Sequence, residues 1–270
     1  MDNGVIYHKR DFWDRENLKF SQPHFRMRKV AGQLRKLAAG REIDLLDVGC
    51  GPGALSTLLP ASVHYYGIDI AIHEPASNLI ELDFAENPIS FNGMKFDIVV
   101  AQGVFEYMGD VQSKKFAEIA DLVKDDGKFI CTYQNFAHWR KSIYFAYSNV
   151  QQPDVFRRDL SRYFRIERFF PTSYNWNHGH PNRFFVQAPQ QHMTVNIPVI
   201  GPKLATDYYY LCSPLREARR HRSALATAAS RNVCGGARTW RRSVDWLAAK
   251  RAGRHAARSA SMSTWSYKSA

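Results

Sequence analysis

Residues 47–53, Asp-Val-Gly-Cys-Gly-Pro-Gly, hold the residue types and spacing most able to do chemistry. Asp47 closes the apolar run that starts at Ile43, and Gly49, Gly51 and Gly53 follow at alternate positions. Glycine has no side chain to pack on a pleated surface, so three of them end a strand rather than extend it. They let the backbone turn sharply and bring its N–H groups close to a polar or anionic ligand. The stretch Ala54-Leu55-Ser56-Thr57-Leu58-Leu59 reads as the first turns of a helix. The loop is therefore expected to end at a helix N-terminus, where N–H donors lie unpaired. Two further acids stand behind it: Asp69 ends the run Val63–Ile68, and Asp83 follows Leu82.

Two cofactor classes use such a loop. A dinucleotide fingerprint, G-x-G-x-x-G/A, is formally met by Gly49, Gly51 and Ala54, with Asp69 as the acid about 20 positions on. The wider pattern adds Asp47 ahead of the glycines, Gly53 as a third glycine, and the step Leu82-Asp83-Phe84. It also adds a strand Phe96–Gln102 leading into Gly103-Val104-Phe105-Glu106-Tyr107. This ordered set resembles the class I S-adenosylmethionine-dependent methyltransferases, whose D-x-G-x-G-x-G signature is matched at every defined position, and the resemblance covers roughly residues 7–190. It implies an α/β fold: a Rossmann-like three-layer sandwich with a mostly parallel seven-stranded sheet and a closing antiparallel C-terminal hairpin. It also implies S-adenosyl-L-methionine as cofactor.

The resemblance carries the following roles onto this sequence. Gly49, Cys50, Gly51 and Gly53 would lie against the methionine and ribose. Asp47 would contact the amino end, directly or through water, and Asp69 would accept from both ribose hydroxyls. Ile70 would pack on the adenine, with Asp83 and Phe84 at its exocyclic amine. Gln102 and Gly103 would end the fourth strand beneath the reacting centre. Plainer readings stand beside these: a helix N-cap for Asp47, an exposed acid for Asp83, a tight-turn residue for Gly103.

The acceptor side is read from Asn135-Phe136-Ala137-His138-Trp139-Arg140, at the carboxyl edge where ligands bind in open α/β sheets. The string looks like a segment of MetW-like members of the same superfamily. His138 is a candidate general base, since an imidazole titrates near neutrality, and Tyr107 is a second catalytic candidate. Tyr133, His178 and His180 are further candidates whose competing role is structural. Tyr7 and Trp13 are candidate lid residues over the cofactor, or aromatic packing against the core. No metal is expected. The expected reaction is methyl transfer to a small-molecule acceptor, O-methylation being favoured over N or C. The alternatives are a methyltransferase-fold binding protein acting with a partner enzyme, and an RNA methyltransferase using the basic C-terminal segment. No N-P-P-Y or D-P-P-Y string follows the fourth strand, where the sequence reads Ala101-Gln102-Gly103-Val104.

Strands at 43–48, 63–69, 78–82, 96–102 and 128–133 are expected to position these residues. Helices are expected at 24–39, from 53 onward and at about 111–124, with a turn at Lys124–Gly127. Strands alternating with helices imply a parallel sheet covered on both faces. Residues 163–170 and 183–188 read as the closing antiparallel pair. Three regions follow: an N-terminal helical arm or lid at 1–40, the catalytic domain at 41–215, and a basic Ala- and Arg-rich tail at 216–270, expected to be disordered.

The formal charge of +12 is concentrated in that tail, which holds 11 Arg and 2 Lys against Glu217 and Asp245. The rest is nearly neutral, so charge gives no reason to expect nucleic acid on the catalytic domain. Four scattered cysteines without a C-x-x-C pair suggest neither zinc nor a disulfide framework and fit a reducing, cytoplasmic setting. The polar start Met1-Asp2-Asn3-Gly4 lacks the apolar core of a secretion signal, and no apolar run nears the roughly 20 residues of a membrane span. Oligomeric state is left open.

Overall fold

Side-chain alternation along the strands decides where the cores lie, because successive residues of a strand face opposite sides of the sheet. The computed structural model describes residues 10–135, 151–173, 205 and 207–215. Its seven strands are β1 (Ile43–Val48), β2 (Val63–Asp69), β3 (Leu79–Glu81), β4 (Phe96–Gln102), β5 (Val123–Gln134), β6 (Phe164–Ser173) and β7 (Asp207–Pro214). They form one sheet in the order β3-β2-β1-β4-β5-β7-β6. β1 to β5 pair in parallel, and β7 pairs antiparallel with both β5 and β6. This is the expected mixed α/β sheet.

Leu45, Ile98, Val100, Ile130, Tyr209 and Leu211 face one side, under helix α2 (Phe25–Ala38), whose Met27, Val30, Ala31, Leu34 and Ala38 fill that core. Leu46, Val48, Val99, Ala101, Phe129, Cys131, Tyr208 and Tyr210 face the other side. There they meet α3 (Gln112–Leu122) and α4 (Pro153–Leu160) through Phe116, Ile119, Phe156 and Leu160. α2 begins where the His24 ring accepts a hydrogen bond from the Arg26 N–H, and it ends at Ala39 in the left-handed region, with Gly40 following at φ +76°.

Three expectations need correction. The glycine loop is not followed by an α-helix: Ala54–Leu58 forms a short 3₁₀ turn, and Leu59 is already extended. Pro60 explains this, since it disfavours helical backbone at the residue before it and has no N–H to continue the ladder. The Ser56 and Thr57 hydroxyls donate back to the carbonyls of Gly53 and Ala54, competing with helix propagation. Second, β6 pairs with Asp207–Pro214; residues 183–188, expected as its partner, lie outside the described residues. β7 is buried at all eight positions, so it reads as a continuous Tyr-Tyr-Tyr-Leu-Cys run without alternation. Third, Lys124–Gly127 does not precede β5. It bulges out of it, between Val123 paired with Phe96 and Lys128 paired with Ile98.

The aromatic centre of the second core is Phe156, which stacks on Tyr133 at 3.7 Å between ring centroids and touches Phe116, Tyr210 and Phe105. Phe156→Ala leaves a cavity that these rings cannot close and is expected to destabilise the fold by about 3–5 kcal/mol. A urea denaturation curve of the variant beside the parent checks this.

Candidate functional site

The carboxyl ends of β1, β2 and β4 open into a cavity of about 160 Å³. Its lower wall is the glycine loop, with Asp47, Gly49, Cys50 and Gly51. Asp69, Ile70, Asp83 and Phe84 form one side, and Gln102, Gly103, Val104 and Tyr107 the other. Helix α1 (Arg10–Asn17) and the segment leading into α2 cover it with Trp13, Asn17, Phe20, His24, Arg26 and Met27. The sequence thus named most of the wall and one residue of the cover, Trp13. Gly53 does not line the cavity; at φ +76° it sets the turn into the 3₁₀ segment.

The loop approaches its neighbours closely. A Cβ on Gly49 would stand 2.4 Å from a Val104 methyl, and one on Gly67 would stand 2.7 Å from the Cys50 sulfur. Its N–H groups are already used, however: those of Gly49 and Cys50 donate to the Ile68 carbonyl, that of Gly51 to Asp69 Oδ2 and that of Gly53 to the Cys50 carbonyl. The loop therefore does not present the row of free N–H donors expected of it, and a pyrophosphate would find no cradle there.

What the pocket presents instead is negative. Asp47 is buried; its Oδ2 accepts from the Tyr65 hydroxyl at 2.8 Å, while Oδ1 has no hydrogen-bond partner among the described residues. Burial pushes its carboxyl up to about 7, against the Tyr65 bond that lowers it, and Asp69 adds to the rise. Gln102, at the end of the adjacent strand β4, also has a buried side-chain oxygen without a partner among the described residues. Asp69 is likewise raised by burial, opposed by hydrogen bonds from Gly51, Ala71 and Asn17. Two unpartnered acceptor oxygens beside a second carboxylate suit a ligand that brings a positive charge and several N–H donors.

Asp83 and Phe84 occupy the far side. Asp83 Oδ1 accepts from the N–H groups of Ala85 and Glu86, so it shapes a turn while lining the cavity. Phe84 is buried against Phe105, with the Lys115 ammonium 4.9 Å from its ring centre. Lys115, itself buried, is held by the Asn87 carbonyl and Glu118.

A family model described as a methyltransferase domain matches residues 23–169, more than half of the chain. The chain belongs to that family. It is a class I S-adenosylmethionine-dependent methyltransferase, and S-adenosyl-L-methionine is its cofactor. Among solved structures, this methyltransferase is similar to CcbJ of Streptomyces caelestis, at 12% identity and a TM-score of 0.50, over 71% of this chain and 90% of that one. It is also similar to a methyltransferase of Clostridium acetobutylicum, at 12% identity and 0.49, over 73% and 95% of the two chains. A third is the N-methyltransferase NodS of Bradyrhizobium japonicum in complex with S-adenosylhomocysteine, at 11% identity and 0.47, over 75% and 98%. At these identities the likeness is one of fold. No curated protein sequence matches it.

The residues present fit this cofactor. Asp47 Oδ1 and Gln102 Oε1 would receive the ammonium of the methionine end, and the doubly acidic pocket suits a ligand that also carries a sulfonium.

Of the catalytic candidates, Tyr107 lines the cavity with its ring edge-on to Trp13 at 4.8 Å. His138, His178, His180 and Tyr7 fall outside the described residues. Tyr133 is in the core, its hydroxyl exchanging hydrogen bonds with the Gln151 backbone, and is not part of the cavity wall.

Sequence reasoning missed Asn17, His24, Arg26 and Gln134 in the wall and Glu106 behind it. Glu106 is buried; its Oε1 accepts from the Gln134 N–H at 2.8 Å, and Oε2 has no partner among the described residues. Burial pushes it up to about 7, with the Gln134 bond and the Arg26 charge opposing. Arg26 donates to Asp207 at 3.4 Å. No regular spacing marks these positions, because they converge from the end of α1, the start of α2, the segment after β4 and the end of β5.

Asp47 and Glu106 both have folded-state values above the ordinary carboxyl value, so folding favours their protonated forms. Their contribution to stability is complete below that ordinary value and is lost as pH rises through about 7. Thermal melts of the cofactor-free protein should show this fall, and Asp47→Asn should make it shallower. Because an ammonium pairs with the carboxylate form, affinity for S-adenosylhomocysteine should rise over the same range. Calorimetry at about pH 5.5 and about pH 8.5 reads it.

Proposed function

We propose that this methyltransferase acts on a small-molecule acceptor, with a hydroxyl oxygen favoured over nitrogen or carbon. The part of the cavity wall that does not belong to α1 carries this reading: Phe20, Met27, Tyr107 and Met108 line it with apolar and aromatic surface, and Arg26 is the permanently charged cation among the lining residues. Such an enclosure suits a compact acceptor better than a polymer. A nearby guanidinium lowers the pKa of an entering hydroxyl and so favours its nucleophilic, deprotonated form.

S-adenosylmethionine supplies the transferable methyl group on its sulfonium. The chain supplies alignment, worth about 7–11 kcal/mol when the geometry is near attack, and exclusion of water. In this reading Tyr107 orients the acceptor from the wall. His138, which follows Asn135 in the chain by three residues, takes the hydroxyl proton.

A panel of phenols, alcohols and amines incubated with S-adenosylmethionine and read by mass spectrometry tests the proposal. Methyl ethers are the expected products. Arg26→Ala should lower kcat/KM for hydroxyl acceptors by about tenfold or more, the effect of a charge that moves an acceptor pKa by about a unit, with S-adenosylhomocysteine affinity little changed. Turnover confined to amines and indifferent to Arg26 would overturn the oxygen reading. Turnover confined to RNA would overturn the small-molecule reading.

A further inference from the structure

The acid placed to receive the ribose is already engaged. A carboxylate has about four lone-pair sites. Asp69 Oδ1 accepts from Asn17 Nδ2 at 2.8 Å and from the Ala71 N–H at 3.1 Å, and Oδ2 accepts from the Gly51 N–H at 2.7 Å. The Ile70 N–H also favours its ionised form. Three of these donors are backbone groups fixed by the loops that carry them. Asn17 is the side chain among them, and the one that can leave.

Asn17 is no incidental neighbour. It is 3% exposed, and its amide nitrogen donates to the Ala71 carbonyl at 3.1 Å as well as to Asp69. The other anchors of α1 fall on the same rim. Arg10 bonds both oxygens of Glu81 at the end of β3, Asp14 stands 3.8 Å from His73, and Trp13 packs edge-on against Tyr107. The Arg10–Glu81 pair is exposed and so holds weakly. Asn17 is the buried polar fastening of the helix.

We propose that Asn17 is an internal stand-in for the ribose diol, and that α1 must release Asp69 before the cofactor seats. An amide N–H and a ribose O–H donate to a carboxylate with the same polarity, so one hydrogen bond is exchanged for another and none is left unmade. In this state the pocket is closed by its own N-terminal helix. Cofactor occupancy and the docked position of Asn17 exclude each other. The inference rests on the S-adenosylmethionine reading of the pocket and adds a competition to it.

Hydrogen–deuterium exchange on the full chain, with and without S-adenosylhomocysteine, needs no variant. Amides of residues 10–17 should exchange faster when the ligand is bound; slower exchange, the sign of a helix that clamps the ligand, would overturn the proposal. Calorimetry on Asn17→Ala supplies the second readout. Removing the competitor should tighten S-adenosylhomocysteine binding by about tenfold, the factor carried by one hydrogen bond to a charged group, and equal or weaker binding would overturn it. If the parent binds no S-adenosylhomocysteine at all, the cofactor reading fails and the inference fails with it. If the parent binds but residues 10–17 become protected, the inference alone fails.

Discussion

Two carboxylates, Asp47 and Asp69, are buried side by side at the ends of adjacent strands, and much of the surrounding structure exists to make that tolerable. Burying a charge without partners is expensive enough that a group prefers to neutralise, which is the direction both acids take. The Tyr65 hydroxyl, the Gly51 and Ala71 N–H groups and the Asn17 amide are the compensations. Each depends on position. Tyr65 reaches Asp47 because β2 runs parallel to β1 with Gly67 opposite Asp47. Gly67 has no side chain, and that leaves room for the Cys50 thiol and so for the loop itself. What remains uncompensated among the described residues, one oxygen of Asp47 and one of Gln102, is a demand that suits a cationic ligand.

This balance also separates the two ligands that a glycine loop can serve. A phosphate-binding loop keeps its N–H groups free and places positive potential at the ligand. Here Gly49, Cys50, Gly51 and Gly53 turn theirs inward, and the carboxylates set the sign. The glycines serve close approach and left-handed turns rather than anion binding. The same residue types at nearly the same spacing thus reverse their electrostatic meaning according to where the amides point.

The glycine signature, Asp69, Asp83 and the strand before Gln102 were legible because each depends on residue type at a fixed chain distance, and the parallel sheet followed from strand–helix alternation. The cover of the pocket was less so. Trp13 stood out as an aromatic in a charged arm, yet Asn17 and Arg26 carry no periodic or spacing signal, and their partners lie 52 and 181 residues away. Glu106 was in view within Gly103–Tyr107, but its burial against Gln134 is a tertiary fact. β7 was passed over for a related reason. A strand buried on both faces loses the alternation by which strands are recognised, and Tyr208–Cys212 therefore resembled any apolar run. The short turn at Ala54–Leu58 shows the reverse: Pro60 was legible and should have limited the helix.

The placement of β7 has a consequence for how the chain reaches this form. β6 ends at Ser173 and β7 starts at Asp207, yet β7 lies between β5 and β6. Until it is inserted, β5 and β6 each lack the neighbour that β7 gives them, and an unpaired strand edge can template pairing with another molecule. That neighbour arrives only after more than thirty further residues of synthesis, as a tyrosine-rich strand. Contacts of such long sequence separation form late. A nascent or truncated chain stopped short of that strand would be the species most prone to self-association, and a chaperone acting on this protein would have its work concentrated in that interval.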